Sequence, residues 1–225
     1  GALSREKDVV RRLLLLFTIA GLVAGGVMVV PQPAVSVVPG EVGRIAFASD
    51  RDEPWGELYT RDFAGGPWKR LTWNTTGDGS PSWSPDGNEI AYISRAAGTS
   101  DVWLMDADGG NQRNLTQDTA EDYGPDWSPD GKWIAFSNDA GDIWVMNRDG
   151  SGKINLTPSV GNYNWDPSWS PDGSKIAFWS TRQGWGDIFV MDVDGSNVTN
   201  LTTSGPRDDS DPSWSPDGSK IAFWS

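Results

Sequence analysis

The side chains that could do chemistry in this chain are mostly carboxylates, in three sets. The first set lies just ahead of each Pro-x-Trp segment. It comprises Asp78, then Glu121, Asp122 and Tyr123, then Asn164, Trp165 and Asp166, and finally Asp208, Asp209 and Asp211. The second set is Asp101, Asp142 and Asp187, each opening an apolar-aromatic run. The third, Asp106/Asp108 and Asp192/Asp194, resembles the start of a calcium loop. Such a loop needs further oxygen ligands and a downstream bidentate carboxylate, and Gly110, Asn111 and Gln112 supply none. These Asp-Gly pairs are therefore expected to be hairpin turns. The chain has no His and no Cys. That removes Ser-His-Asp and Cys-His nucleophiles, His- or Cys-bound zinc and disulfides. A carboxylate of the second set could be catalytic, but its recurrence at equivalent positions argues for a structural task, because an active site is asymmetric. No enzyme activity and no cofactor is expected. Calcium at the first set is the one metal to consider, with weak or no binding.

The elements that must position these residues are repeats. Trp-Ser-Pro-Asp-Gly occurs four times, carrying Trp83, Asp86 and Gly87; Trp127, Asp130 and Gly131; Trp169, Asp172 and Gly173; and Trp214, Asp217 and Gly218. The four aspartates are 44, 42 and 45 residues apart. Ser, then Pro, then a terminal Gly is a tight-turn sequence. Each copy leads into an Ile-Ala-aromatic triplet (Ile90 to Tyr92, Ile134 to Phe136, Ile176 to Phe178, Ile221 to Phe223), and Ile45 to Phe47 adds a fifth. A third strand follows, such as Asp142 to Met146, then an Asp-Gly turn, then a fourth strand ending at Leu-Thr: Leu71-Thr72, Leu115-Thr116, Leu156-Thr157 and Leu201-Thr202. Five Asn-x-Thr sequons occur, three of which are simply the Asn-Leu-Thr of this repeat. A period in the low forties with four short strands predicts an all-β propeller of four-stranded antiparallel blades. Three strands, three full blades and two strands give about 17 strands, or four to five blades.

Ahead of the repeats, residues 1–12 are polar and net basic. Leu13 to Val30 carry no charge over 18 residues, and Arg11 and Arg12 precede them. Residues 13–30 are expected to form a hydrophobic helix, a single-pass anchor or an export signal, with 1–12 in the cytoplasm and the rest outside. Residues 31–40, with three prolines, read as a linker, and 41–225 as the propeller. Formal net charge is −13, and −15 without residues 1–35. So acidic a domain repels phosphate backbones, which argues against nucleic acid and for a basic protein surface.

The string Trp-Ser-Pro-Asp-Gly-x-x-Ile-Ala-Phe, then Asp-Ile-Trp-Val-Met-x-x-Asp-Gly and x-Asn-Leu-Thr, resembles the TolB-type, WD-repeat-like propeller family over roughly residues 41–225. That resemblance implies six blades when complete and a place outside the cytoplasmic membrane. It implies a protein partner in the cell envelope, docked at one mouth of the channel. The same repeat also occurs in serine peptidases as a gate to a hydrolase domain.

Both tight turns of each blade fall on one face, so the long loops crowd the other. There, in propellers of this kind, the first set would ring the mouth. Asp78, Asp122, Tyr123, Trp165, Asp166, Asp209 and Asp211 are expected to form a partner-binding rim with Trp165 and Tyr123 as anchors. Plain solvated loops are the other reading of these residues. The leading expectation is an extracytoplasmic protein-docking scaffold. Alternatives are the ectodomain of a receptor with a kinase or DNA-binding output domain, or the gating propeller of a serine peptidase. Self-association is expected if the ring stays open.

Overall fold

A computed structural model of the chain describes residues 43–158, 161–203, 205 and 208–225. The expected tail, apolar helix and linker all lie outside the described residues. Among the described residues no helix is long and apolar enough to cross a membrane.

Five antiparallel sheets follow one another along the chain, each built from strands taken in sequence order. The first holds β1 (Arg44–Ser49), β2 (Glu57–Asp62) and β3 (Lys69–Arg70). The second holds β4 (Asp78–Trp83), β5 (Glu89–Ser94), β6 (Asp101–Asp106) and β7 (Arg113–Asn114). The third holds β8 (Asp122–Trp127), β9 (Trp133–Asn138), β10 (Ile143–Asn147) and β11 (Ile154–Asn155). The fourth holds β12 (Asn164–Trp169), β13 (Lys175–Ser180), β14 (Asp187–Asp192) and β15 (Thr199–Asn200). The fifth holds β16 (Ser210–Trp214) and β17 (Ile221–Trp224), whose Phe223 and Trp224 are exposed.

The Ile-Ala-aromatic triplet explains why the sheets stack. Side chains alternate across a strand. Ile90 and Tyr92 face back onto the first sheet, with Ala46 and Leu58, while Ala91 faces forward onto Ile134 and Phe136 of the third. Ala135 repeats the pattern against Ile176 and Phe178 of the fourth. The large residues fill the space behind each sheet, and the small Ala lets the next one approach.

The Ser-Pro-Asp-Gly turn is held by its own side chains. Ser84 Oγ donates to Asp86 Oδ1 at 2.6 Å and accepts from the Glu89 N–H at 2.9 Å. The Asn88 N–H also reaches Asp86 Oδ1, at 3.1 Å. Gly87 takes φ +69°, which closes the turn. The same bonds recur at Ser128/Asp130, Ser170/Asp172 and Ser215/Asp217.

The fourth strands are shorter than expected. Each spans two residues and stops before Leu-Thr. The ladder makes one further backbone bond, from Leu71 N–H to Leu58 O at 2.8 Å. A side chain then replaces it, as Thr72 Oγ1 accepts the Leu58 N–H at 2.9 Å. Thr116, Thr157 and Thr202 do the same for Val102, Ile143 and Ile188. A hydroxyl that takes over the backbone's acceptor role ends the strand.

Candidate functional site

The first strands β4, β8, β12 and β16 pack side by side. Each carries a bulge against its neighbour, between Gly79 and Ser82, Tyr123 and Asp126, Trp165 and Ser168, and Ser210 and Ser213. At the bulge sit Ser80, Gly124, Asp166 and Asp211, all left-handed with φ between +48° and +54°. Asp tolerates this region better than most residues. Non-glycine backbone in it gathers at functional sites.

The bulge sorts the expected rim into two layers. Asp78, Asp122 and Asp209 occupy one position of the repeat and are only 4%, 1% and 1% exposed. They are not surface contacts. Asp78 accepts from Asn74 Nδ2 at 2.6 Å. Burial raises its pKa, opposed by hydrogen bonds from Ser94 and from Thr72 of the preceding sheet. Burial also pushes Asp122 up to about 7, against a bond from Thr116. These two aspartates therefore latch one sheet to the next. Asn164 holds the same position in the fourth sheet, giving Nδ2 to Gly141 O at 2.7 Å.

Of the remaining four residues Trp165 is exposed, and Tyr123, Asp166 and Asp211 are half-buried. The Tyr123 hydroxyl donates to Glu121 Oε2 at 3.0 Å, and that carboxylate also holds Arg95. Trp165 is 38% exposed. It stacks on Trp179, its partner across the strands, with ring centroids 5.3 Å apart, and Tyr163 lies 5.9 Å away on its flank. Asp166 and Asp211 come from adjacent sheets. Burial, then the Asp211 charge, raises Asp166 to about 7. Asp211 Oδ2 accepts from its neighbour Ser210 at 3.1 Å. Neither carboxylate has an ion-pair partner among the described residues.

The sequence reading passed over Asp126, Trp179 and Tyr163. Asp126 stands where other repeats have Ser82, Ser168 and Ser213. It accepts the Trp169 N–H at 2.8 Å and lies 3.4 Å from Ser82 Oγ, so it ties three sheets together. Burial pushes it up to about 6. The signal was Pro-Asp-Trp in place of Pro-Ser-Trp. For Trp179 it was Phe178-Trp179 where the third sheet has Phe136-Ser137.

The second and third carboxylate sets are engaged within the repeats. Asp101, Asp142 and Asp187 take the amides of Asn114, Asn155 and Asn200 at 2.6 to 2.8 Å. Asp106 holds Asn111, Asp192 holds Asn197, and Asp108 and Asp194 cap the Gly110 and Ser196 N–H groups. Among the described residues no group of three or more metal-ligating side chains assembles.

These shifts set a pH dependence. Asp122, Asp126 and Asp166 sit above the ordinary 3.8, at about 7, 6 and 7. Their stabilising contribution is full below the unfolded value and is lost as pH rises through 6 to 7. In the turns, the Ser128, Ser170 and Ser215 hydroxyls help hold Asp130, Asp172 and Asp217 at about 2, with Lys132 the largest influence at Asp130. Their contribution is present above the unfolded value and lost as pH falls toward 2. The melting temperature is therefore expected to rise from about pH 8 to about pH 5 and to fall below about pH 4. Calorimetry across that range checks it, and a flat profile from pH 8 to 5 contradicts it.

Residues 33–142 and 125–225 match the family model described as the TolB beta propeller domain. None of the curated proteins compared with the chain matches it. Among solved structures, one described as a TolB from Agrobacterium tumefaciens is 29% identical with a TM-score of 0.71, covering 81% of this chain and 71% of that one. TolB from Acinetobacter baumannii is 26% identical with a TM-score of 0.68, covering 83% of this chain and 48% of that one. This chain therefore spans about half the length of the second. A chain of a nidogen–laminin complex, 12% identical over 80% of this chain with a TM-score of 0.62, shares the fold alone.

Proposed function

The chain belongs to the TolB beta propeller domain family, and on that premise we propose that it is a non-catalytic, extracytoplasmic scaffold that docks another protein on its loop-rich face. The observation that carries the reading is Trp165. It is an exposed indole on an innermost strand, backed by Trp179 and flanked by Tyr163. Large aromatics in a partly desolvated cluster are what dominates binding at protein interfaces. On the tight-turn face the aspartates of the Asp-Gly turns are spent on their own backbone. Placement outside the cytoplasm follows from the uncharged run at residues 13–30 behind Arg11 and Arg12.

A photo-crosslinking residue placed at position 165 in the source cells is expected to capture one discrete protein. The same residue at position 194, in the β14–β15 turn on the opposite face, is expected to capture none. Replacing Trp165 and Asp166 with Ala should then weaken the captured complex by about ten- to a hundredfold while the fold persists. Equal capture at both positions, or unchanged affinity, overturns the choice of face.

A further inference from the structure

We infer that the aromatic face of Tyr163, Trp165 and Trp179 receives a segment of the docked protein that carries an arginine or lysine, and that this side chain is placed onto Asp166 and Asp211. The inference rests on the docking reading and adds the chemistry of the occupant.

The argument is one of charge and position. Asp166 and Asp211 occupy the left-handed bulge positions of neighbouring first strands that pack against each other, and after burial the Asp211 charge raises Asp166. Two like charges on neighbouring strands disfavour each other, and a proton or a positive group relieves them. Among the described residues, the cationic side chains of the fourth sheet are committed elsewhere. Arg182 gives Nη2 to Asn164 Oδ1 at 2.8 Å and lies 5.0 Å over both the Phe178 and Phe189 rings. Lys175 is bound to Asp192 at the tight-turn end of the fourth sheet. Among the described residues, therefore, no cation pairs with Asp166 or Asp211, and a basic side chain of the docked segment can fill that place. On the side of the preceding sheet the equivalent residue is Gly124. A Cβ there would lie 3.5 Å from Asp166 Oδ1, so the missing side chain keeps that flank open.

A divalent ion fits less well than an organic cation. It calls for six or more oxygens, and two carboxylates do not supply them. A guanidinium or ammonium needs only two acceptors and gains from an adjacent indole face. Trp165 and Asp166 are consecutive, so their Cα atoms stand about 3.8 Å apart. One extended segment can therefore cover the indole and reach the carboxylate. The acidity of the whole chain, net −13, favours encounter with a basic partner.

The test uses the full chain and two peptides, acetyl-Gly-Ser-Arg-Ser-Gly-amide and its citrulline counterpart. Citrulline keeps the size and planarity of arginine and loses the charge. Binding is read from the indole N–H resonances, with Trp165 assigned by its disappearance in Trp165→Phe. The arginine peptide is expected to shift the Trp165 signal and to bind at least tenfold more tightly than the citrulline peptide. Asp166→Asn with Asp211→Asn should remove at least tenfold of that affinity. Asn also tolerates the left-handed conformation, so the fold is kept. Asp108→Asn with Asp194→Asn removes the same charge from the opposite face and should change little.

Equal binding of the two peptides assigns the face to a neutral ligand such as a sugar and overturns the inference. An equal loss in both double variants reduces it to bulk electrostatics, and no shift at Trp165 also ends it. Crosslinking at position 165 separates these failures from failure of the docking reading. If capture persists without arginine selectivity, docking stands and the cationic occupant falls.

Discussion

Gly150→Ala is expected to lower the free energy of unfolding by about 3 kcal/mol or more, as two costs combine. Gly150 closes the turn between β10 and β11 with φ +88°, where a Cβ is strained by about 1 to 2 kcal/mol. The added Cβ would also stand 2.8 Å from Leu115 O and 3.3 Å from Leu115 Cα, both on the preceding sheet. Backbone cannot rotate aside as a flexible side chain can, so the sheets must separate. The contact repeats at Gly109 against Leu71 O (2.9 Å) and at Gly195 against Leu156 O (2.6 Å). It is thus a joint between sheets, beyond what a hairpin turn requires. Gly98→Ala isolates the backbone term, because Gly98 has φ +106° and nothing within 4 Å of its added Cβ. It should cost only about 1 to 2 kcal/mol. Urea denaturation of the two variants measures the difference. Similar losses at both sites would show that the Leu115 contact relaxes freely.

Most of the fold is legible in the sequence because its signals are local. Ser-Pro-Asp-Gly makes its turn from its own side chains, and Ile-Ala-aromatic states its two faces by alternation. The 17 strands and their grouping follow from those two strings together with the Asp-Ile-Trp-Val-Met and Asn-Leu-Thr runs. The candidate site is less legible, because it depends on the bulge in each first strand. One extra residue reverses which side chains point inward. A reading with period two places Asp78, Asp122 and Asp209 on the same face as Asp166 and Asp211, whereas the bulge separates the two groups. Nothing in Gly79-Ser80, Tyr123-Gly124 or Trp165-Asp166 shares a residue type that announces the bulge. The short fourth strands were hidden for a similar reason. Leu-Thr reads as strand, and only the bond from the third strand to the Thr hydroxyl shows where the ladder stops.

The repeats also predict an exchange that the chain itself has already made once. Asp101, Asp142 and Asp187 each take the amide of an Asn two strand positions away in the register. In the first sheet the same two positions hold Glu57 and Arg70. Glu57 is 0% exposed, and Arg70 Nη2 lies 3.2 Å from its Oε1. Neither Glu57 oxygen has another hydrogen-bond partner, so Arg70 is the group that balances the buried charge. Arg70→Ala is therefore expected to destabilise the protein by about 3 to 5 kcal/mol, the cost of stranding a buried ion. Part of that loss comes from the Arg70 Nε bond to Thr72 O at 2.7 Å, which a protonated Glu57 could not restore. The double variant Glu57→Asp with Arg70→Asn should recover most of the stability, because it installs the pair that three other sheets already use. The shorter Asp–Asn pair brings no buried net charge mismatch beyond what Asp101 and Asn114 tolerate at 2.6 Å. Chemical denaturation of the wild type, the single variant and the double variant decides it. A double variant no more stable than Arg70→Ala would mean that the first sheet is shaped around its ion pair, and that the positions match in register without being interchangeable in packing.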